Sequence, residues 1–196
     1  MNGMPKSLDE LVDSFSKLPG VGKKTAERLA IHILRSSFSD VQDFTSALTN
    51  VKTNIDVDEI SSCFKENGVS INDDSARDNS ILCIVKDATE VFLIEKSGYR
   101  GHYHVLGGLL SPLDGVMPEN LNIDNLLNII DNYKELIIAI DPNSKGDTTS
   151  LYIKDLLKNR DIKITRLARG VPVGSSLDYI DELTLTHSIE DRVEIK

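Results

Sequence analysis

Two clusters of residues in this chain are candidates for a binding or catalytic role. The first is Leu18-Pro19-Gly20-Val21-Gly22, followed directly by Lys23 and Lys24 and then by Arg28. Glycines let a backbone turn tightly and approach a phosphate with no Cβ in the way. A helix start behind them offers unpaired N–H groups and a positive dipole end. Residues 17–35 hold five basic side chains against Glu27, a local charge of +4. The whole chain has 22 Lys and Arg against 31 Asp and Glu, a net charge of −9. The charge is therefore segregated, and the one positive segment coincides with the glycine hairpin. A nucleotide P-loop does not fit, because Lys17 stands where its first glycine belongs and Lys24 takes the Ser/Thr position. The alternative is a plain helix–turn–helix connection with a solvated lysine face.

The second cluster is Asp141-Pro142-Asn143-Ser144-Lys145-Gly146-Asp147, directly after the apolar run Leu136–Ile140. The carboxyl end of a parallel strand is where ligands bind in open α/β sheets. Carboxylates here alternate with Asn143 and Lys145, and Lys86 follows a second apolar run at 81–85. Two lysines in a divalent-cation site remove ligands and add repulsion. Asp87 and Glu90 leave room for weak Mg2+ binding, but a catalytic two-metal site is not expected. Cys63 and Cys83 have no partner two or three residues away, so no four-ligand zinc site can be assembled from cysteines. Cys63 reads as a loop thiol and Cys83 as a small buried residue on a strand. His102 and His104 alternate with Tyr103 and Val105 and belong to a strand, not a catalytic pair. No serine sits in a nucleophile elbow.

Hydrophobic periodicity predicts the secondary structure around these clusters. Leu8, Leu11, Val12 and Phe15 mark a helix over 7–17 with Ser7 available to cap it. Ala26, Leu29, Ala30, Ile33 and Leu34 mark a second over 23–36. Ser39 and Asp40 are suited to cap a third, with Val41, Phe44, Ala47 and Leu48 on one face. Residues 50–80 lose periodicity and are rich in Asn, Asp and Ser, which reads as loop or a small irregular module. Beyond Ser80, the runs 81–85, 91–94, 136–140 and 162–168 read as short buried strands, with a helix over 148–157. Strand–helix–strand order with near-continuous apolar strands predicts a mostly parallel sheet covered on both faces.

Composition limits the function classes. Apolar residues make up 40% of the chain and charged residues 27%, enough for a packed core. Aromatics are only 5% with no tryptophan, which argues against a base-stacking platform. The longest apolar run is far too short to span a bilayer, and Met1–Lys17 lacks the apolar core of a signal peptide. With only two cysteines, a disulfide framework is excluded, and the expected compartment is the reducing cytoplasm.

Longer motifs then carry a family resemblance. The segments Tyr99-Arg100-Gly101-His102-Tyr103-His104-Val105-Leu106-Gly107-Gly108, Ser111-Pro112-Leu113-Asp114-Gly115 and Thr165 through Gly174 resemble the RecR family of bacterial recombination mediators. The hairpin at 18–22, His32, and Arg77-Asp78 fit as well, and the match runs in order along the chain. The resemblance implies an α/β protein in four parts. These are a helix–hairpin–helix module at 1–50, an irregular, degenerate zinc-finger-like spacer at 51–78, a Toprim domain with a mostly parallel sheet at 79–165, and a C-terminal oligomerisation segment at 166–196. It also implies a non-enzymatic DNA-repair protein that forms rings or clamps, typically tetramers, on single- and double-stranded DNA. Such proteins act with RecO, and in many bacteria RecF, to help load RecA. Gly20, Gly22, Lys23, Lys24 and Arg28 would then contact DNA, and Asp141 and Asp147 would lie on the face that meets RecO. The competing readings are a metal-dependent Toprim nuclease or topoisomerase-like enzyme, and a protein–protein adaptor whose hairpin never touches DNA.

The sequence also departs from that family. The four zinc-cysteine positions fall on Val57, Ile60, Val69 and Asn72, none of them a thiolate. No cofactor is therefore expected, and Val57, Ile60 and Val69 are expected to substitute a small apolar cluster for the metal. The acidic positions of an active Toprim site fall on Lys86, Asp141, Asn143, Lys145 and Asp147.

Overall fold

A computed structural model describes residues 3–194. The extreme ends of the expected first and last segments, residues 1–2 and 195–196, lie outside the described residues. The chain divides into two compact units, the first ending at Asn54 and the second beginning at Ile55.

The first unit is three helices, α1 (Lys6–Ser16), α2 (Lys23–Arg35) and α3 (Phe38–Asn54). Val12 of α1 packs on Ala26 and Ala30 of α2, with Leu8, Leu11, Phe15 and Val21 around them. Alanines at i and i+4 let the two helix backbones approach closely. Ser7 does not cap α1, which begins one residue earlier behind Pro5. The cap of α3 likewise belongs to Ser37 and not Ser39. Ser37 Oγ accepts from the Asp40 N–H at 3.1 Å, and Asp40 Oδ2 accepts from the Ser37 N–H at 3.3 Å. Helix α3 also runs through residues 50–54, which the sequence suggested were loop.

In the second unit the spacer is ordered β structure. Strands β1 (Ile55–Val57), β2 (Phe64–Glu66) and β3 (Val69–Ser70) form a small antiparallel sheet in that order. The expected apolar cluster does not form. Val57, Ile60 and Val69 are 46%, 52% and 63% exposed. Polar contacts to the main sheet hold the spacer instead, as described below.

The main sheet contains β4 (Asp78–Val85), β5 (Gly101–Val105), β6 (Glu135–Ile138) and β7 (Lys163–Arg166), all parallel, in the order β5-β4-β6-β7. The register explains the two cores. Leu82 lies beside Leu136, and Ile84 beside Ile138, on the face covered by α5 (Ile123–Ile129) and α6 (Ser144–Leu156). On the opposite face Cys83 lies between Tyr103 and Ile137, and Val85 beside Val105, under α4 (Ala88–Glu95). Alternate residues of each strand therefore feed opposite layers, and both layers are apolar.

Helix α4 corrects the reading of Val91–Ile94 as a strand. A run of four apolar residues does not reveal its own period. What decides the matter is a capping box, in which Asp87 accepts from the Thr89 N–H at 2.8 Å and Glu90 accepts from the Asp87 N–H at 3.3 Å. Parallel β4 and β5 also require a crossover between them. Only Val91 of the run is buried, while Phe92 and Leu93 face outward. Helix α6 starts four residues before the expected residue 148, so Lys145 and Asp147 fall in its first turn. The sequence did not reveal α5 or the last helix, α7 (Glu182–Glu190).

The β5 edge of the sheet is covered by the spacer. Val105 N–H donates to the Ser61 carbonyl at 2.7 Å. The Asn72 side chain occupies both main-chain groups of Tyr103, donating to its carbonyl and accepting from its N–H, each at 2.8 Å. Asn122 Nδ2 reaches the Ile60 carbonyl at 2.8 Å and Ser62 Oγ at 2.9 Å. An otherwise open strand edge is thereby satisfied without metal ligands. Cys63 and Cys83 are both fully buried here, and burial pushes their thiols up to about 11 and about 12. Neither is a reactive thiolate at neutral pH.

Candidate nucleic-acid interface and strand-end carboxylates

In the first unit the hairpin connects α1 to α2 through tight turns. Leu18 N–H donates to the Phe15 carbonyl at 3.1 Å, and Val21 N–H donates to the Leu18 carbonyl at 3.1 Å. Gly20 sits at φ +76°, a left-handed conformation that favours glycine. Gly22 occupies the N-cap of α2, and no side chain caps the helix. The first-turn N–H groups are thus left for an outside acceptor. A Cβ at Gly22 would meet nothing within 4 Å, so the missing side chain leaves open space before the backbone. Lys23, Lys24 and Arg28 are exposed, whereas Ala26 and Ala30 are fully buried against α1. The cations and the apolar contact therefore lie on different sides of one helix.

In the second unit most of the strand-end carboxylates are engaged by cations, while Asp87 is held by Thr89. Lys86 Nζ lies 2.7 Å from Asp141 Oδ2 and 2.9 Å from Glu90 Oε1. The Asp141 and Glu90 carboxylates hold this ammonium above the ordinary lysine range. Lys145 Nζ lies 2.6 Å from Asp114 Oδ2, and that bond, joined by one from Ser111, lowers the Asp114 carboxyl below its usual value. Asp147 faces Arg166 at 3.8 Å and Arg169 at 3.9 Å. The same arginines hold Asp191, just past α7, at 3.3 Å and 3.1 Å. Asn143 caps α6 by accepting from the N–H groups of Lys145 and Gly146. Among the described residues no three His, Cys, Asp or Glu side chains gather in a metal-holding group.

Asp141 and Asp147 line one small surface pocket with Arg166 and Arg169, and each takes a different cation partner. Sequence reasoning placed both on one acidic face, and missed Asp114, Arg166 and Arg169. Asp114 lies within a motif quoted for the family resemblance, but its bond to Lys145 spans 31 residues and has no local signal. The zinc positions do not suit a metal either. Val57, Ile60 and Val69 offer no side-chain donor, and the Asn72 amide is already committed to Tyr103.

Comparison with known proteins decides the family. Residues 8–52 match the family model described as RecR, helix-hairpin-helix; 80–168 match a Toprim domain; and 170–193 match RecR, C-terminal. The proteins called Recombination protein RecR from Staphylococcus haemolyticus (strain JCSC1435) and Staphylococcus aureus (strain JH9) are 44% identical to it, over 97% of this chain and 98% of each relative. The chain belongs to the RecR family. The N-terminal RecR match takes in all of α2 and most of α1 and α3, with the hairpin inside it. The Toprim match takes in nearly all of the parallel sheet, so the Lys86–Asp141 pair lies within it at the ends of β4 and β6. The RecR C-terminal match contains α7. Among the described residues no helix is long and apolar enough to cross a membrane.

Proposed function

We propose that this RecR-family protein is a non-enzymatic, DNA-binding recombination mediator of the RecFOR type. It grips the phosphates of single- or double-stranded DNA through the backbone at Gly20 and Gly22 and the side chains of Lys23, Lys24 and Arg28. The observation that carries the reading is the α2 start, with glycine at the N-cap, no capping side chain and two exposed lysines in its first turn. One such hairpin makes few phosphate contacts on an acidic chain, so its own affinity is weak. Several hairpins in a homo-oligomeric ring, a tetramer in this reading, raise effective concentration enough to hold DNA.

In this reading the strand-end surface around Asp141 and Asp147 is a docking face for RecO, with RecF as a further partner, and the protein works in the cytoplasm with no resident cofactor. Its carboxylates carry ammonium and guanidinium partners in place of metal ions, which supports docking over catalysis.

The deciding experiment is the double variant Lys23→Glu/Lys24→Glu. It should lose most DNA binding at every sequence tried, because phosphate contacts position without specifying. Thermal stability and assembly mass should stay close to the parent's, since both side chains are in solvent. Equal binding by parent and variant across a salt titration would place the DNA site elsewhere. Mg2+-dependent nicking by purified protein, lost on Asp141→Ala, would overturn the non-enzymatic assignment.

A further inference from the structure

The hairpin is not the one positive segment of this chain. Residues 151–169 hold six basic side chains against Asp155 and Asp161, again a net +4. The sequence records that charge but not where it gathers, because the cations are split between α6, a turn and β7. The fold gathers five of them, Lys154, Lys158, Arg160, Arg166 and Arg169, along one open groove of about 890 Å3 beside β7, the last strand of the sheet. That volume is in the range of ordinary ligand sites, ~300–1,000 Å3. Its wall is apolar, built from Leu151, Leu157, Ile162 and Ile164, and Ser150 and Thr165 add hydroxyls.

We propose that this groove is a second phosphate-binding surface, which takes a segment of single-stranded nucleic acid. It rests on the reading that the chain binds DNA. An unpaired base fits a concave apolar wall with hydroxyls at hand, while its flanking phosphates meet the cations on the rim. A duplex keeps its bases stacked inside and offers the groove only its outer phosphates. Lys154 has no ion-pair partner among the described residues. The Lys158–Asp155 pair at 3.0 Å and the Arg160–Asp131 pair are on the surface. Exposed pairs of this kind are held weakly, and their cations can exchange a carboxylate for a phosphate. Arg166 and Arg169 are tied to Asp147 and Asp191, which assigns the first contacts to Lys154, Lys158 and Arg160.

The test is Lys154→Glu/Lys158→Glu in the full chain, with the hairpin intact. Both side chains are exposed, so the variant should fold. Its binding to a labelled oligothymidylate should fall about tenfold. The salt slope should shrink by about 1.4, from two lost single-strand phosphate contacts at ~0.7 each. Binding to a duplex of equal length should change little, whereas the hairpin variant should weaken both. Photo-crosslinking with a 4-thiothymidine oligonucleotide should mark peptides within 151–166. Unchanged single-strand affinity and slope would overturn the groove while leaving the hairpin reading intact. If the parent binds neither probe, both readings fall. Displacement of the crosslink by an equimolar nucleoside triphosphate would show a free-nucleotide pocket and overturn the strand assignment.

Discussion

The Lys86 ammonium lies 2.7 Å from Asp141 Oδ2, joining residues 55 positions apart across the ends of β4 and β6. Lys145 makes the matching contact with Asp114 at 2.6 Å. Each lysine stands where an active Toprim site resembling this segment would carry a glutamate, and each neutralises a carboxylate that could otherwise serve a cation.

Converting both lysines should therefore create a metal site without creating an enzyme. Lys86→Glu/Lys145→Glu should bind Mg2+ about tenfold or more tightly than the parent, as two repulsive charges become ligands. Titration calorimetry would measure this. Plasmid nicking should remain absent in the variant, since cleavage also needs a positioned nucleophile.

Gly146 admits no side chain. A Cβ there would lie 1.9 Å from the Asp141 carbonyl oxygen, a backbone atom that cannot swing aside. Gly146→Ala should cost ~3 kcal/mol or more, at the upper end of overpacking. The damage should be local, with trypsin cutting at Lys145 in the variant but not in the parent.

Arg77 is a buried clasp between α4 and β5. Its side chain is 4% exposed, pairs with Glu95 at 2.7 Å, and donates to the Gly101 carbonyl at 2.9 Å. Glu95 also accepts from the Tyr103 hydroxyl at 2.7 Å. Glu95→Gln should destabilise the protein by ~2–3 kcal/mol at pH 7, because removing one partner strands a buried charge. The Arg77 hydrogen bond, with a smaller one from Tyr103, holds the Glu95 carboxyl below its usual value. Its stabilisation is thus present above the unfolded value near ~4.3 and lost as pH falls through the folded one. Urea midpoints of parent and variant should differ at pH 7, and the difference should shrink as the pH falls below ~4.3.

His104 has the same acid sign by a different cause. It is fully buried, its Nε2 lies 2.6 Å from the Asn122 carbonyl, and its Nδ1 has no partner. The carbonyl requires the proton on Nε2, so a second proton would sit on Nδ1 with no acceptor. Burial lowers its pKa, and the unfolded chain takes up the proton first. Stability should therefore fall as pH drops below ~6.5, by up to ~1.4 kcal/mol per pH unit. His104→Gln should flatten that slope in unfolding curves from pH 7.5 to 5.5.

Spacer order should not depend on zinc. Elemental analysis of untagged protein should find no stoichiometric metal, and a chelator should leave the melting temperature unchanged. Asn72→Val removes the bonds to both main-chain groups of Tyr103, and unsatisfied buried groups cost ~1–3 kcal/mol each. Amide exchange should accelerate across 55–73 and at Tyr103, with less effect at β6.

Features that depend only on neighbours along the chain are legible in the amino-acid sequence. The Pro-Gly-Val-Gly hairpin is legible because a left-handed φ at Gly20 and an uncapped helix start are properties of a few consecutive residues. The buried strands 81–85 and 136–140 are legible because both sheet faces are covered, leaving continuous apolar runs. Val91–Ile94 was misread for the same reason, since a short apolar run suits a strand or a helix equally. Its state follows from the Asp87–Glu90 cap and from the parallel pairing of β4 with β5. Which charges meet is set by the three-dimensional fold. Lys86 finds Asp141, Lys145 finds Asp114, and Asn72 finds Tyr103 because strand order and register bring distant segments together. The basic groove beside β7 arises the same way. A side chain's partner is set by where the fold ends each strand, and no local spacing records that position.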